Sequence, residues 1–147
     1  MKDKKKKIGY TTGVFDMFHV GHLEIIKKAK AKCDYLIVGV STDELVMSYK
    51  NKKPIISFEQ RIEIVKSIKY VDQVVVQNHR DKIEAQKKIG FNIMFVGDDW
   101  KESKLFLELE KKFSLIGVEI FYFPYTKNIS STSLRSKLKA LINDEKH

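Results

Sequence analysis

Short runs of apolar and β-branched residues alternate with longer stretches of helical period along almost the whole 147-residue chain. The runs at residues 8–12, 35–41, 73–77, 92–97 and 118–123 read as strands. Between the first two, residues 21–32 place Leu23, Ile26 and Ala29 three apart with lysines opposite, the stripe of an amphipathic helix. Ser57-Phe58-Glu59-Gln60 has the form of a capping box, so a helix is expected from about Phe58 with Ile64, Val65 and Ile68 turned inward. Further helices fit residues 81–89, stopped by Gly90, residues 103–113, followed by Gly117, and residues 132–142.

Strand and helix in repeated alternation imply an α/β fold: a single Rossmann-like, doubly wound, parallel five-stranded sheet with helices on both faces. Sheets of this kind take ligands at the carboxyl ends of their strands, where the strand order reverses, so residues that follow strands are the ones to examine. No Pro-, Gly- or Ser-rich linker divides the chain. One domain over residues 8–147, preceded by a basic tail over residues 1–7, accounts for all of it.

Charge adds a question to this picture. Lys and Arg outnumber Asp and Glu by 28 to 19, a net charge of +9, which suits nucleic acid, an acidic membrane surface or small polyanions such as nucleotides. Much of it is local: the tail holds five lysines and one aspartate, and Lys50-Asn51-Lys52-Lys53 holds three more lysines. A nucleic-acid binder would carry a positive face with aromatic or helical readout elements, and this distribution offers none. No run approaches the roughly 18 apolar residues of a membrane span, so neither membrane insertion nor a secretory leader is expected and the location is read as cytoplasmic. Cys33 is the one cysteine, which excludes a disulfide framework and a multi-cysteine zinc site and leaves a small, buried apolar residue as its expected role.

The chemistry concentrates after the first strand. Gly13-Val14-Phe15-Asp16-Met17-Phe18-His19-Val20-Gly21-His22 leads directly into the first helix and carries two of the four histidines. Glycine admits close backbone approach, and a helix start offers free amides and a positive dipole end, so the stretch suits phosphate oxygens. Histidine can donate hydrogen bonds to charge that builds on phosphorus. A capping or core pair is the alternative role. Zinc is disfavoured, because His-x-x-His without a further ligand is too small a set.

With His19-Val20-Gly21-His22 in place, the chain resembles the nucleotidyltransferases of the His-x-Gly-His type and, within them, the cytidylyltransferases, in particular the glycerol-3-phosphate branch. The likeness extends through Asp34-Tyr35-Leu36-Ile37-Val38, Ser41-Thr42-Asp43-Glu44, Arg61, Lys69-Tyr70-Val71-Asp72, Gly97-Asp98-Asp99-Trp100 and Ile129-Ser130-Ser131-Thr132. It implies that His19 and His22 contact the triphosphate of CTP and stabilise the transition state, with Lys50 as a third catalytic group. The nucleotide would rest on Gly13, Val14, Phe15, Lys52 and the segment Tyr125, Thr126, Asn128, Ile129, Ser130, Ser131 and Thr132. Lys50, Lys82, Asp98, Asp99 and Trp100 would meet a small phosphorylated alcohol, with Mg²⁺ accompanying CTP and the chain forming a homodimer.

Each assignment has a plainer alternative. Clustered lysines usually form a solvated surface, and Lys50-Asn51-Lys52-Lys53 is read as a loop after the second strand. Adjacent aspartates often make a turn and cap, Trp100 suits a lid or a core anchor, and hydroxyls at a helix start are commonly caps. The resembling enzymes usually have Arg where this chain has Tyr125 and Gly where it has Asn128; Lys127 or Arg135 is a candidate replacement for the missing cation. CTP over ATP rests on the resemblance, since heptose-phosphate adenylyltransferases share a similar histidine stretch. Other sugar or polyol phosphates, phosphocholine and phosphoethanolamine remain alternative acceptors.

Overall fold

The computed structural model describes residues 6–124 and 137–141. Five parallel strands, β1 (Ile8–Gly13), β2 (Tyr35–Ser41), β3 (Gln73–Gln77), β4 (Ile93–Gly97) and β5 (Glu119–Phe123), form one sheet in the order β3-β2-β1-β4-β5. Helices α1 (Val20–Ala31), α2 (Asp43–Lys50), α3 (Phe58–Lys66), α4 (Lys82–Ile89) and α5 (Lys104–Leu115) connect them, and Asp98–Trp100 makes a single 3-10 turn after β4. The expected doubly wound α/β sheet is therefore present. Its strand order reverses between β1 and β4, which places a crevice beyond Gly13 and Gly97.

The two faces of the sheet have separate cores. Phe15, Ile26, Ala29, Leu36, Val38, Val65, Ile93 and Phe95 pack on the side of α1 and α3, whereas Tyr10, Ile37, Phe91, Met94, Phe106, Leu109 and Phe113 pack beneath α4 and α5. β2 is buried over nearly its whole length, as a central strand covered on both faces must be. The helix stops fall where expected: Gly90 ends α4 in the left-handed conformation (φ 81°) and Gly117 follows α5 at φ 73°.

Four expectations need correction. The lysine cluster is not wholly a loop, because Asp43–Lys50 is a helix and Lys50 is its last residue; Thr42 caps it by accepting from the Leu45 amide at 3.1 Å. Ser57 makes no side-chain cap. Instead, the Asp43 carboxylate accepts from the Phe58 amide at 3.4 Å, so α3 is capped from a neighbouring helix. Ile64 is 40% exposed; α3 buries Arg61 and Val65, and Ile68 packs on the same core just beyond the helix. Cys33 is only half-buried, with its thiol donating to the Ala29 carbonyl. In the expected last helix, residues 137–141 are helical and the remainder lies outside the described residues.

Candidate functional site

The stretch after β1 is held in a strained shape. Phe15 and Met17 both have positive φ, 56° and 50°, a conformation that costs a non-glycine residue roughly 1–2 kcal/mol. Gly13 makes the fold-back possible, since a Cβ there would stand 3.0 Å from the Phe15 ring. Between the two strained residues, Asp16 is buried, and its oxygens accept from the Ile55 and Ile56 amides at 2.8 Å each. The carboxylate thereby ties the segment after the lysine cluster to the histidine stretch.

Arg61 completes that tie from beneath. Fully buried, it donates through Nε to the Ile56 carbonyl, through Nη1 to the carbonyls of Val14 and Ser41, and through Nη2 to the Asp43 carboxylate at 2.6 Å. One guanidinium thus fastens the ends of β1 and β2, the start of α2 and the segment before α3. A buried charge persists when it is paired and its donors are satisfied, and here both conditions hold.

On this base the two histidines cap α1 reciprocally. The Gly21 amide donates to His19 Nδ1 at 3.0 Å, and the His19 amide donates to His22 Nδ1 at 3.2 Å. An Nδ1 that accepts cannot carry the proton of a neutral ring, so in both residues that proton lies on Nε2. The rings stack with centroids 3.9 Å apart. Burial, and then the neighbouring His19, push His22 down to about 4 against the opposing pull of Asp16; burial also lowers His19. At neutral pH the pair is therefore uncharged and presents N–H donors. His19 Nε2 is buried and has no partner among the described residues. Capping uses Nδ1 and leaves Nε2 uncommitted, so the capping role does not exclude a ligand role.

The other expected residues stand around the same edge. Lys82, the first residue of α4, reaches β1, its Nζ 3.4 Å from Thr12 Oγ1, and burial followed by the nearby Arg80 lowers it to about 8. Lys50 ends α2, while Lys52 is exposed in the segment that Asp16 anchors. Val14 supplies one of the carbonyls that hold Arg61. Asp98 is exposed in the 3-10 turn, which also contains Asp99, whose side chain lies outside the described residues. Trp100 is 39% exposed with its ring 5.4 Å from that of Phe106, so one side is anchored to the α5 core and the other faces outward. Tyr125, Thr126, Asn128, Ile129, Ser130, Ser131 and Thr132 lie outside the described residues.

Asp16 and the linkage made by Arg61 were not legible as roles. The available signal was an arginine at an inward position of an otherwise apolar helical stripe, seven residues before Ile68.

A neutral pair of N–H donors thus stands at a helix start directly after β1, one of the two strands between which the order reverses. A family profile described as cytidylyltransferase-like matches residues 10–137. The chain belongs to the cytidylyltransferase-like family. Among curated relatives, glycerol-3-phosphate cytidylyltransferase of Bacillus spizizenii is 38% identical over 93% of this chain and 99% of its own. An FAD synthase of Thermococcus sibiricus is 37% identical over 88% of this chain and 90% of its own. The crystal structure of a lipopolysaccharide core biosynthesis protein from Thermoplasma volcanium superposes with a TM-score of 0.69 at 26% identity, covering 84% of this chain and 99% of that one.

Proposed function

We propose that this family member transfers CMP from CTP to a small phosphorylated alcohol, with glycerol 3-phosphate as first choice. An acceptor phosphate oxygen attacks the α-phosphorus of CTP, the bond from that phosphorus to the bridging oxygen breaks, and pyrophosphate leaves with the electron pair to give a CDP-alcohol. No protein nucleophile enters, and near neutral pH the acceptor is already anionic. The enzyme has to align two anions and stabilise a crowded phosphorus. One observation carries the reading: His19 Nε2–H, fixed as a donor by the capping bond at Nδ1, is buried without an acceptor among the described residues.

His19 and His22 act in this reading as neutral donors to the triphosphate, with Gly13, Val14 and Phe15 shaping the loop beside them. Lys50 and Lys52 neutralise phosphate oxygens; Lys82, Asp98, Asp99 and Trp100 serve the acceptor. The segment Tyr125, Thr126, Asn128, Ile129, Ser130, Ser131 and Thr132 supplies further donors to the nucleotide. Mg²⁺ belongs to the proposal as an ion carried on CTP, where it screens triphosphate charge. Among the described residues no group of three or more His, Cys, Asp or Glu side chains comes together.

ATP stays the competing donor, and a relative named FAD synthase is the reason to keep it in the test. A pyrophosphate-release screen separates the two: CTP and ATP, each with Mg²⁺, against phosphorylated polyols, sugars and amino alcohols. Release with CTP and a polyol phosphate is expected; release with ATP alone would replace the donor.

A homodimer completes the proposal. β3 is an edge strand, and a groove of about 480 Å³ beside it is lined by apolar Ile62, Val71 and Val74 and by polar Glu63, Lys66, Asp72 and Gln73, so it includes part of Lys69-Tyr70-Val71-Asp72. Light scattering that gives twice the chain mass of 17.2 kDa tests it. No helix among the described residues is long and apolar enough to cross a membrane. A cytoplasmic enzyme supplying a CDP-alcohol for cell-surface polymer synthesis is the setting that suits this reaction.

A further inference from the structure

Arg80 stands out because the proposed machinery leaves it unused. It lies in the segment between β3 and α4, and its guanidinium carbon sits 4.3 Å from the centre of the Tyr49 ring, in the last turn of α2. Lys50 Nζ lies 5.9 Å from the same ring centre. Two residues on from Arg80, Lys82 points back to Thr12 on β1, and Arg80 is near enough to weaken its hold on a proton. Arg80 and Lys82 therefore lie close together near the end of β1, and Lys50 shares the Tyr49 ring with Arg80. Arg80 pairs with no acidic side chain among the described residues, whereas every nitrogen of Arg61 donates to the protein.

Like charges held close repel, and a bound anion relieves the repulsion. Arg80 is exposed with its guanidinium over the Tyr49 ring, and its N–H donors make a fork that fits two phosphate oxygens. The same cluster repels a positively charged group on the acceptor. We propose that Arg80 is a specificity-determining residue of the acceptor site, favouring a dianionic phosphorylated polyol over a zwitterionic phosphorylated amino alcohol. This inference rests on the phosphoalcohol reading above.

The test compares kcat/KM for glycerol 3-phosphate and for phosphoethanolamine in the wild type, Arg80→Gln, Arg80→Lys and Tyr49→Leu, with CTP and Mg²⁺. A lost charge-assisted contact corresponds to about a tenfold effect. Arg80→Gln is expected to raise the KM for glycerol 3-phosphate about tenfold, to raise that for phosphoethanolamine less because the variant also removes the repulsion of its ammonium group, and to leave the KM for CTP unchanged, so that the preference for glycerol 3-phosphate falls. Arg80→Lys should recover part of that preference, and Tyr49→Leu should lose part of it. Equal losses on both acceptors, or a KM shift below about twofold in Arg80→Gln, would overturn the assignment. If the wild type releases no pyrophosphate from CTP, the cytidylyl reading fails, and Arg80 is then judged by calorimetry with glycerol 3-phosphate alone. An unchanged Kd in Arg80→Gln overturns the proposal there too.

Discussion

The stretch after β1 and the segments after β2 and β3 meet at one edge of the sheet, yet they are built on opposite plans. The first has strained backbone, a buried carboxylate and two imidazoles kept neutral by burial, all secured to a guanidinium whose nitrogens donate to the protein. The second presents long cations at helix ends, Lys50 and Lys82, with Arg80 stacked on an aromatic ring. Uncharged, fixed donors are directional and suit an atom that changes geometry during the reaction. Cations on flexible stems supply field and adjust to the size of what they bind. In the proposed reaction, the first region serves the chemistry of the phosphorus and the second the choice and capture of the acceptor.

Breaking the fixed region should have the largest effect. Arg61→Leu leaves Asp43 and three carbonyls without their donor, and loss of one partner of a buried pair typically costs about 3–5 kcal/mol. Urea unfolding should show a loss of that size, and a loss below about 1 kcal/mol would mean that the guanidinium is not the fastener described. Asp16→Asn is next. It replaces one of two acceptors with an amide donor facing a backbone N–H, which costs about 1–3 kcal/mol and loosens the lysine segment. Its KM for CTP should rise along with the stability loss; destabilisation with an unchanged KM would separate Asp16 from the site.

The cationic region should respond to pH instead. With Lys82 near 8, its charge is mostly present at pH 7 and mostly gone at pH 9, so the KM for the acceptor should rise about tenfold between them. Lys82→Arg, always charged, should flatten that rise, and a flat wild-type profile would remove Lys82 from the acceptor site. Smallest of all is the effect of the tail. Deleting residues 1–5 removes three lysines of a +9 chain, and turnover should change less than about twofold if charge acts by convergence and not by total.

Periodicity revealed the sheet and four helices because each strand is a short β-branched run and each helix carries an inward apolar stripe. It missed α2, whose Asp43–Lys50 segment buries only Val46; its signs were a Thr42 cap and two acids in the first turn. The Ser57 cap failed for a different reason. Local spacing cannot show that the Asp43 carboxylate, fifteen residues away, takes the amide at the start of α3. Spacing alone puts Ile64 inward because apolar residues usually hold such positions, whereas Arg61 occupies the buried face to satisfy carbonyls from three segments. The histidine pair was legible through its place between strand and helix. Its tautomer was not, since that depends on which ring atom takes each amide.

The central claim is that neutral His19 donates to the reacting phosphate chain. Pyrophosphate release from CTP and glycerol 3-phosphate, measured under saturation for the wild type and His19→Ala with unfolding followed in parallel, tests it most directly. Loss of one such donor typically costs about 10²- to 10³-fold in rate. The expected result is a fall in kcat of that size in a protein that still folds, with a comparable fall in His22→Ala. A kcat within a few fold of the wild type in both variants would contradict the claim.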